Sequence, residues 1–260
     1  MDTLADAAPG SLTTAKAQAS AVANAPSSAA AAFFDLDKTI ISRSSALAFA
    51  PSFYRHGLIS RIQAARGAYA QLVFRIGGAD HRRMERIKEQ LTKLCRGWPA
   101  DRVREIVTTH LAETIGPIIY AEARRLLDSH RSAGRDVFIV STSGEEMVNP
   151  IGLMLGACGV IATRMRLADG HYTGEMEFYA YGEAKAVRMR QLAAERGYDL
   201  NSCFAYSDSA TDLPMLEAVG HPHAVNPDRA LRRVATERGW PVLTFAERAG
   251  LQANAAHRAG

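Results

Sequence analysis

The chain is short of cysteine, of long apolar runs and of excess charge, and each shortage excludes a class of protein. Its 260 residues include only three cysteines. Cys95, Cys158 and Cys203 form no CxxC pair, so we expect neither a disulfide framework nor a zinc site, and a reducing cytoplasm fits. No run of about 18 apolar residues occurs, so no membrane-spanning helix is expected. A net charge of +4 is too small to argue for nucleic-acid binding.

Residues 1–30 differ in composition from the rest of the chain. They are rich in alanine, serine and threonine and contain few large apolar residues. No basic segment followed by an apolar core is present, so a secretory signal is not expected. We predict a disordered leader with no catalytic part; a weak alanine-rich helix that docks elsewhere is the alternative.

Beyond the leader, short apolar runs alternate with segments of helical periodicity. Strands are predicted at 31–35, 136–140, 160–163, 202–206, 223–226 and 242–245, and a hairpin at 164–180 that turns at Asp169-Gly170. Helices are predicted at 118–133, 145–156 and 183–196, and Asn226-Pro227-Asp228 is expected to open another. This alternation predicts an α/β fold with a doubly wound, mainly parallel sheet.

One long segment, 45–116, contains helical patterns and no strand signal. Its predicted helices are 45–54, 59–75, 81–95 and 100–114, separated by glycines and a proline. We therefore predict a helical cap at 45–116 inserted into a catalytic core formed by 31–44 and 117–260. The many basic residues between 51 and 105 have three interpretations. They form a solvated helical face, or some of them bind a second anionic group of the substrate, or they dock to an anionic membrane surface.

Polar side chains lie at or shortly after the ends of three of the predicted strands. They are Asp35, Asp37 and Thr39 at the end of the first strand and after it, Ser141 after strand 136–140, and Asp208 with Asp212 after strand 202–206. In an open parallel sheet, ligands bind beyond the carboxyl ends of the strands. We therefore expect these side chains to converge on one crevice although they are far apart in the sequence.

Hydrolysis of a phosphate monoester requires groups of these types. Close carboxylates bind Mg²⁺, which prefers oxygen ligands and retains waters. Asp35 can act as nucleophile and form an aspartyl-phosphate, and Asp37 can act as general acid and then as base. A lysine supplies a fixed positive charge, and a serine hydroxyl supplies a donor to the phosphate.

Four motifs in order make the chain resemble the haloacid dehalogenase superfamily of phosphatases, which has a Rossmann-like core. They are Asp35-Leu36-Asp37-Lys38-Thr39, Ser141 after Phe138-Ile139-Val140, Lys185 in Gly182-Glu183-Ala184-Lys185, and Ser207-Asp208-Ser209-Ala210-Thr211-Asp212. The helical insert between the first two motifs is similar to the cap of the phosphoserine phosphatase-like branch. The resemblance covers roughly residues 31–245.

This resemblance implies a role for each acidic residue of the motifs. Asp35 would be nucleophile and Mg²⁺ ligand, and Asp37 would be acid and base with its backbone carbonyl on the metal. Asp208 would bind the metal directly, and Asp212 would hold a metal-bound water.

The resemblance also implies roles for three neutral or basic residues. Thr39 would buttress the loop that follows the first strand. Ser141 and Lys185 would bind the transferring phosphate, and Lys185 would also orient Asp35.

Departures from the phosphoserine phosphatase pattern concern substrate recognition. Ser44 stands where a glutamate usually pairs with the substrate ammonium, the second motif continues as Thr142-Ser143-Gly144, and Thr211 precedes the last aspartate. Phosphoserine is therefore not the favoured substrate. Further candidates for binding substrate or phosphate are Arg43, Ser44 and Thr142.

The favoured function is a Mg²⁺-dependent hydrolase of a small phosphorylated metabolite. The alternatives are phosphoserine phosphatase proper, a phosphotransferase or mutase on the same fold, and, from another class, a non-catalytic binding module. The expected partner is a small phosphate ester. A homodimer is left open.

Overall fold

The structure is a computed structural model that describes residues 30–60, 89 and 92–248. The predicted leader, apart from Ala30, lies outside the described residues. The same holds for most of the two predicted helices at 59–75 and 81–95. Residues 59 and 60 are described and are not helical, whereas residues 89 and 92–95 are described and helical.

Within the described residues, seven strands form one sheet, in the order β4-β3-β2-β1-β5-β6-β7. Neighbouring strands are parallel except for the antiparallel pair β3–β4. The strands are β1 Ala31–Asp35, β2 Asp136–Gly144, β3 Gly159–Ala168, β4 His171–Phe178, β5 Phe204–Ser207, β6 His221–Val225 and β7 Val242–Leu243. The prediction of a mainly parallel α/β sheet is confirmed.

Helices join most of these strands. They are α1 Ser45–Arg55, α2 Ala100–Thr109, α3 Leu111–Ile115, α4 Ala121–Ser132, α5 Glu145–Leu155, α6 Glu183–Arg196, α7 Leu213–Glu217 and α8 Arg229–Arg238. The predicted helix 100–114 is divided at His110. The predicted helix 118–133 begins only at Ala121, because Tyr120 is extended and its N–H bonds to the carbonyl of Ile40 at 2.9 Å.

The first strand lies in the middle of the sheet and is buried on both faces. All five of its residues are buried, as expected for a central parallel strand. Phe34 belongs to an apolar cluster with residues of α4 and α5, and Phe33 belongs to a second cluster with residues of α6, α7 and α8. Helices therefore cover both faces of the sheet, as the doubly wound prediction requires.

The second strand is longer than predicted and irregular at its end. It continues past Val140 to Gly144, and its pairing with β3 shifts between Ser141 and Gly144. Such a bulge redirects side chains relative to the regular alternation. Ser141 therefore lies inside the strand rather than after it.

The described part of the predicted cap packs directly on the core. Phe49 and Phe53 of α1 and Ile106 of α2 belong to the same apolar cluster as Phe34 of the central strand. The division of the chain into a core and a cap at 45–116 stays a prediction. Among the helices that lie in the described residues, none is long and apolar enough to cross a membrane.

Backbone hydrogen bonds tie the segment before α2 to the outer edge of β4. The N–H of Gly97 donates to the carbonyl of Tyr172 at 2.8 Å, and the N–H of Tyr172 donates to the carbonyl of Trp98 at 2.9 Å. The N–H of Ala100 donates to the carbonyl of Gly170 at 2.9 Å. These bonds satisfy polar groups on an edge that would otherwise be open to pairing with another chain.

His130 of α4 is a buried histidine with a defined tautomer. Arg135 Nε donates to His130 Nδ1 at 2.8 Å, so that nitrogen is an acceptor. His130 Nε2 therefore carries the proton and donates to the Tyr206 hydroxyl at 2.8 Å. Burial, followed by the Arg135 guanidinium, lowers the pKa of His130 to about 4.

We expect this lowered pKa to make the protein less stable in mild acid. Below a pH of about 6.5 the unfolded chain binds a proton on His130, and the folded chain does not until about pH 4. Between pH 7.5 and 5.0 this group alone should remove about 2 kcal/mol from the free energy of unfolding. Urea unfolding at both pH values measures the loss.

The matched comparison uses two histidine variants. His130→Gln should lose this part of the pH dependence, whereas His171→Gln, which changes an exposed histidine, should keep it. Equal pH dependence in His130→Gln and the unaltered protein would contradict the assignment.

Candidate active site

The first two aspartates stand on either side of the end of β1. Asp35 is the last residue of the strand, and the loop after it is closed by the N–H groups of Ile40 and Ile41, which both donate to the carbonyl of Leu36. Lys38 has a positive φ of 65°, so the chain turns sharply between Asp37 and Ile40. This turn keeps Asp35 and Asp37 near the edge of the sheet.

The strand order changes direction between β1 and β5. From β1 the sheet continues through β2 and β3 on one side and through β5, β6 and β7 on the other. In open α/β sheets this point forms a crevice at the carboxyl ends of the strands, where ligands bind. Asp208 follows β5 directly, and Asp212 ends a short 3₁₀ helix, Ala210–Asp212. The structure therefore places both pairs of acids at the same crevice.

Lys185 joins the first and the last motif through two buried ion pairs. Its Nζ lies 2.8 Å from Asp35 Oδ1 and 2.9 Å from Asp212 Oδ2. Its side chain is only 2% exposed. Lys185 lies in the first turn of α6. The start of that helix therefore positions the ammonium between Asp35 and Asp212.

Ser207 holds Asp212 through its side-chain hydroxyl. Ser207 Oγ donates to Asp212 Oδ2 at 2.7 Å, and Ser207 Oγ also accepts the N–H of Ser209 at 3.2 Å. Asp212 is thus fixed from two sides, by Lys185 and by Ser207. Sequence reasoning quoted Ser207 within its motif but gave it no role.

Asp37 is held where the loop after β1 meets the first turn of α1. The N–H of Ser45 donates to Asp37 Oδ1 at 2.9 Å, and Ser143 Oγ donates to Asp37 Oδ2 at 3.3 Å. The hydroxyls of Ser45 and Ser143 lie 2.8 Å apart. Burial raises the pKa of Asp37, although the hydrogen bonds from these two serines lower it. A carboxyl with a raised pKa is better suited to deliver a proton near neutral pH.

Ser45 and Ser143 were missed as contacts of Asp37 by the sequence analysis. The spacing Ser141-Thr142-Ser143 carries a weak signal, because residues two apart along a strand share one face. Nothing in the sequence indicates that the first residue of α1 meets a side chain eight positions earlier.

Ser141 and Thr142 differ in what their hydroxyls contact. Asp35 pairs with Val140 across the β1–β2 ladder, so Ser141 lies just beyond Asp35 at the same edge. It is buried, and its Oγ accepts the N–H of Ser143 at 3.2 Å. Thr142 Oγ1 donates to the carbonyl of Ala180 at 2.9 Å. The structure thus brings Ser141 to the site. The hydroxyl of Thr142 instead binds the backbone at Ala180.

The other candidates after β1 fall into two groups. Thr39 is fully buried, and its Oγ1 lies 3.5 Å from Asp35 Oδ2, which fits the expected supporting position. Arg43 is exposed. Ser44 is half-buried and forms the extended residue before α1, with no side-chain capping bond. The contacts do not bring Arg43 and Ser44 to the acids.

The electrostatics of the crevice are dominated by buried negative charge. Burial raises the pKa of Asp35 well above its usual value, although the Lys185 ammonium lowers it. Burial also raises the pKa of Asp208 to about 7, against the lowering effect of Lys38, whose Nζ lies 3.8 Å from Asp208 Oδ2. Burial opposes the charge on Lys185, but Asp212 and Asp35 outweigh it and raise its pKa.

The donor set fits a hard divalent cation that keeps water ligands. Within the part of the chain that the structure describes, no three histidine, cysteine, aspartate or glutamate side chains are gathered closely enough to hold a metal by themselves. Mg²⁺ usually needs only one or two carboxylates, completed by carbonyl oxygens, waters and substrate phosphate. Asp35 and Asp208 are buried carboxyls whose pKa values burial raises, so a nearby cation would favour their charged forms.

Comparison with known proteins agrees with this arrangement. The family profile described as haloacid dehalogenase-like hydrolase matches residues 32–217. The chain is 62% identical over 216 residues to the "Inhibition of morphological differentiation protein" of Streptomyces azureus, with 83% of this chain and 78% of the relative covered. It is 53% identical over 228 residues to a probable phosphatase of Mycobacterium tuberculosis, with 88% and 79% covered.

A more distant relative and a solved structure extend the comparison. A phosphoserine phosphatase of Mycobacterium tuberculosis is 32% identical over 218 residues, with 83% of this chain and 71% of the relative covered. The crystal structure of a protein of unknown function from Bordetella pertussis Tohama I has a TM-score of 0.72 at 29% identity, with 82% and 97% covered. The chain therefore belongs to the haloacid dehalogenase-like hydrolase family, in which it is a phosphatase of the phosphoserine phosphatase-like branch.

Proposed function

We propose that the protein is a Mg²⁺-dependent phosphatase that hydrolyses a small phosphorylated metabolite through an aspartyl-phosphate on Asp35. The observation that carries this proposal is the buried ammonium of Lys185, 2.8 Å from Asp35 Oδ1 and 2.9 Å from Asp212 Oδ2. This contact orients Asp35 at the carboxyl end of the central strand. It also supplies positive charge where an anionic phosphate must approach an anionic nucleophile.

The first half of the reaction transfers the phosphoryl group to the enzyme. A carboxylate oxygen of Asp35 forms a bond to phosphorus while the bond from phosphorus to the ester oxygen breaks. Asp37, held by Ser45 and Ser143, gives its proton to the leaving alkoxide oxygen. The products of this half are the free alcohol and phosphorylated Asp35.

The second half returns the enzyme to its starting state. Asp37, now a carboxylate, takes a proton from water as the water oxygen attacks phosphorus. The bond between phosphorus and Asp35 breaks, and inorganic phosphate leaves. The position of Ser141 beside the end of β1 suits it to donate a hydrogen bond to the phosphate in both halves.

The cation would be held by the acids of the first and fourth motifs. Asp35, Asp208 and the backbone carbonyl of Asp37 would bind it directly, and Asp212 would act through a water. When bound, Mg²⁺ offsets the negative charge of the phosphate and of Asp35. The oxygen-only donor set favours a hard cation such as Mg²⁺ over Zn²⁺ and copper, which bind readily to nitrogen and sulfur ligands.

Removal of metal is the direct test of this proposal. After dialysis against excess EDTA, hydrolysis of p-nitrophenyl phosphate should fall by more than about 100-fold, because buried like charges would then repel the substrate. Added Mg²⁺ should restore it. Circular dichroism on the same samples checks that the fold persists.

Two results would contradict parts of the proposal. Full activity in excess EDTA would exclude the metal. A failure to hydrolyse any member of a panel of phosphate monoesters in the presence of Mg²⁺ would contradict the phosphatase chemistry. Transfer of the phosphoryl group to an added alcohol in preference to water would indicate a phosphotransferase instead.

The substrate, the cellular location and the domain organisation stay predictions. Phosphoserine is disfavoured as substrate because Ser44 offers no carboxylate to the ammonium group. The cytoplasmic location and the helical cap at 45–116 are retained as proposals, and a homodimer is left open. Screening the ester panel would also identify the substrate class.

A further inference from the structure

Two tyrosines form a stacked pair in the segment between β4 and α6. The ring centroids of Tyr179 and Tyr181 lie 5.4 Å apart, and the ring planes differ by 15°. Both side chains are half-buried. We call this pair the aromatic shelf. The mechanism proposed above gives it no part.

The backbone explains why the two rings share one side of the chain. The N–H of Tyr181 donates to the carbonyl of Tyr179 at 2.9 Å, which bends the chain tightly at Ala180. Ala180 is fixed in turn from two sides. Its carbonyl accepts from Thr142 Oγ1 at 2.9 Å, and its N–H donates to Thr163 Oγ1 at 3.2 Å. The aromatic shelf is therefore held to β2 and β3 rather than left on a loose loop.

The same contacts place the aromatic shelf next to the proposed phosphate site. Thr142, whose hydroxyl donates to the carbonyl of Ala180, directly follows Ser141 in β2. On the other side, the carbonyl of Tyr181 accepts the N–H of Ala184 at 3.2 Å, so the shelf leads into the first turn of α6 and Lys185. Burial raises the pKa of Tyr181, and the charges of Asp212 and Lys185 also act on it.

We propose that the aromatic shelf is a subsite for a flat, aromatic ring in the alcohol part of the substrate. This inference rests on the proposed phosphatase function and names a substrate class for it. Aromatic rings attract one another in offset-stacked or edge-to-face arrangements. The proposal requires a ring one or two bonds from the ester oxygen, because Tyr181 directly precedes the first turn of α6, which carries Lys185.

The parallel arrangement of the rings favours a flat ring over a quaternary ammonium group. Cages for such cations surround the charge with several aromatic faces. Tyr179 and Tyr181 are close to parallel, so they continue a stack rather than enclose a cation. The chemistry that fits is therefore a primary alcohol phosphate with a planar ring.

The test compares benzyl phosphate with cyclohexylmethyl phosphate. Both are phosphates of primary alcohols with similar size and leaving group, and only one has a planar aromatic ring. In the Mg²⁺-loaded protein, kcat/KM should be about tenfold higher for benzyl phosphate. Tyr181→Leu and Tyr179→Leu should lower this ratio towards one, whereas Tyr181→Phe, which keeps the ring, should preserve it.

A control variant and a binding measurement separate this inference from the proposed function. Leu153→Ala removes an apolar side chain that is 79% exposed on α5, and it should leave the ratio unchanged. Calorimetry that compares the affinities of benzylphosphonate and cyclohexylmethylphosphonate tests the aromatic shelf without turnover. If no ester is hydrolysed, the proposed function fails while the binding preference still reports on the shelf.

Three outcomes would overturn the inference. The first is a ratio near one in the unaltered protein, together with equal binding of the two phosphonates. The second is a ratio that survives in both leucine variants. The third is a preference for phosphocholine over benzyl phosphate that both leucine variants abolish, because this would assign the shelf to a cation.

Discussion

Asp35→Asn is expected to reduce the hydrolysis of p-nitrophenyl phosphate by more than about 10⁴-fold. An amide cannot form the acyl phosphate on which both halves of the reaction depend, and loss of a covalent nucleophile typically costs at least this factor. Steady-state kinetics at saturating Mg²⁺ measure the loss. Rapid acid quenching with ³²P-labelled substrate should show label on the unaltered protein and none on the variant.

The Asp35→Asn variant should remain folded, which separates lost chemistry from lost structure. An amide has the same shape as the carboxyl group, and the buried Lys185 ammonium keeps its ion pair with Asp212 at 2.9 Å. The matched control is Asp169→Asn, at a turn residue with a positive φ of 48° that asparagine tolerates well. Activity of Asp35→Asn within tenfold of this control would contradict the nucleophile assignment.

Lys185→Met is expected to reduce both activity and stability. In the unaltered protein the Lys185 ammonium forms ion pairs with the carboxylates of Asp35 and Asp212, whose side chains are 9% and 4% exposed. Removal of one partner of a buried ion pair leaves uncompensated charge and costs about 3–5 kcal/mol in the free energy of unfolding. Turnover should fall by about 10²–10³-fold, because a fixed charge at the phosphate is lost.

The pH dependence of the Lys185→Met variant gives a sharper signature. In this variant the Lys185 ammonium is absent, so Asp35 can become neutral by binding a proton in the folded state. The difference in the free energy of unfolding between the variant and the unaltered protein should therefore shrink as the pH falls from 8 to 5. Arg188→Met is the control on the same helix. Arg188 pairs with Glu195 at the surface, and its loss should change stability by no more than about 0.5 kcal/mol. A deficit that is constant with pH would argue against the proposed pairing.

The sheet and most helices could be predicted because their signals are local. The run ending at Asp35 and the helix 183–196 have the predicted ends, and Asp169-Gly170 forms the predicted turn, with both residues at positive φ. Asp228 caps α8 through a hydrogen bond from the N–H of Leu231 at 2.7 Å. Apolar runs, glycines and capping residues carry this information within a few positions.

Other parts of the fold depend on contacts between distant residues. The late start of α4 follows from the bond between Tyr120 and Ile40, eighty positions apart in the chain. The extension of β2 to Gly144 follows from its irregular pairing with β3. Neither pairing has a local signature, so helix and strand ends were the least accurate predictions.

The candidate site also has parts that the sequence predicts and parts that depend on contacts between distant residues. Asp35, Asp37, Ser141, Lys185, Asp208 and Asp212 were named from motif order, and the structure places them around one crevice. The contacts of Asp37 with Ser45 and Ser143, and of Asp212 with Ser207, required coordinates. Arg43 is exposed and Ser44 is half-buried, and a role for either in substrate binding stays a prediction.

The three backbone bonds between residues 97–100 and the hairpin at β4 give the molecule a mechanical linkage. A movement of α2 away from the sheet must either break these bonds or draw β4 with it. The chain that leaves β4 runs through Tyr179 and Tyr181 into the first turn of α6, which carries Lys185.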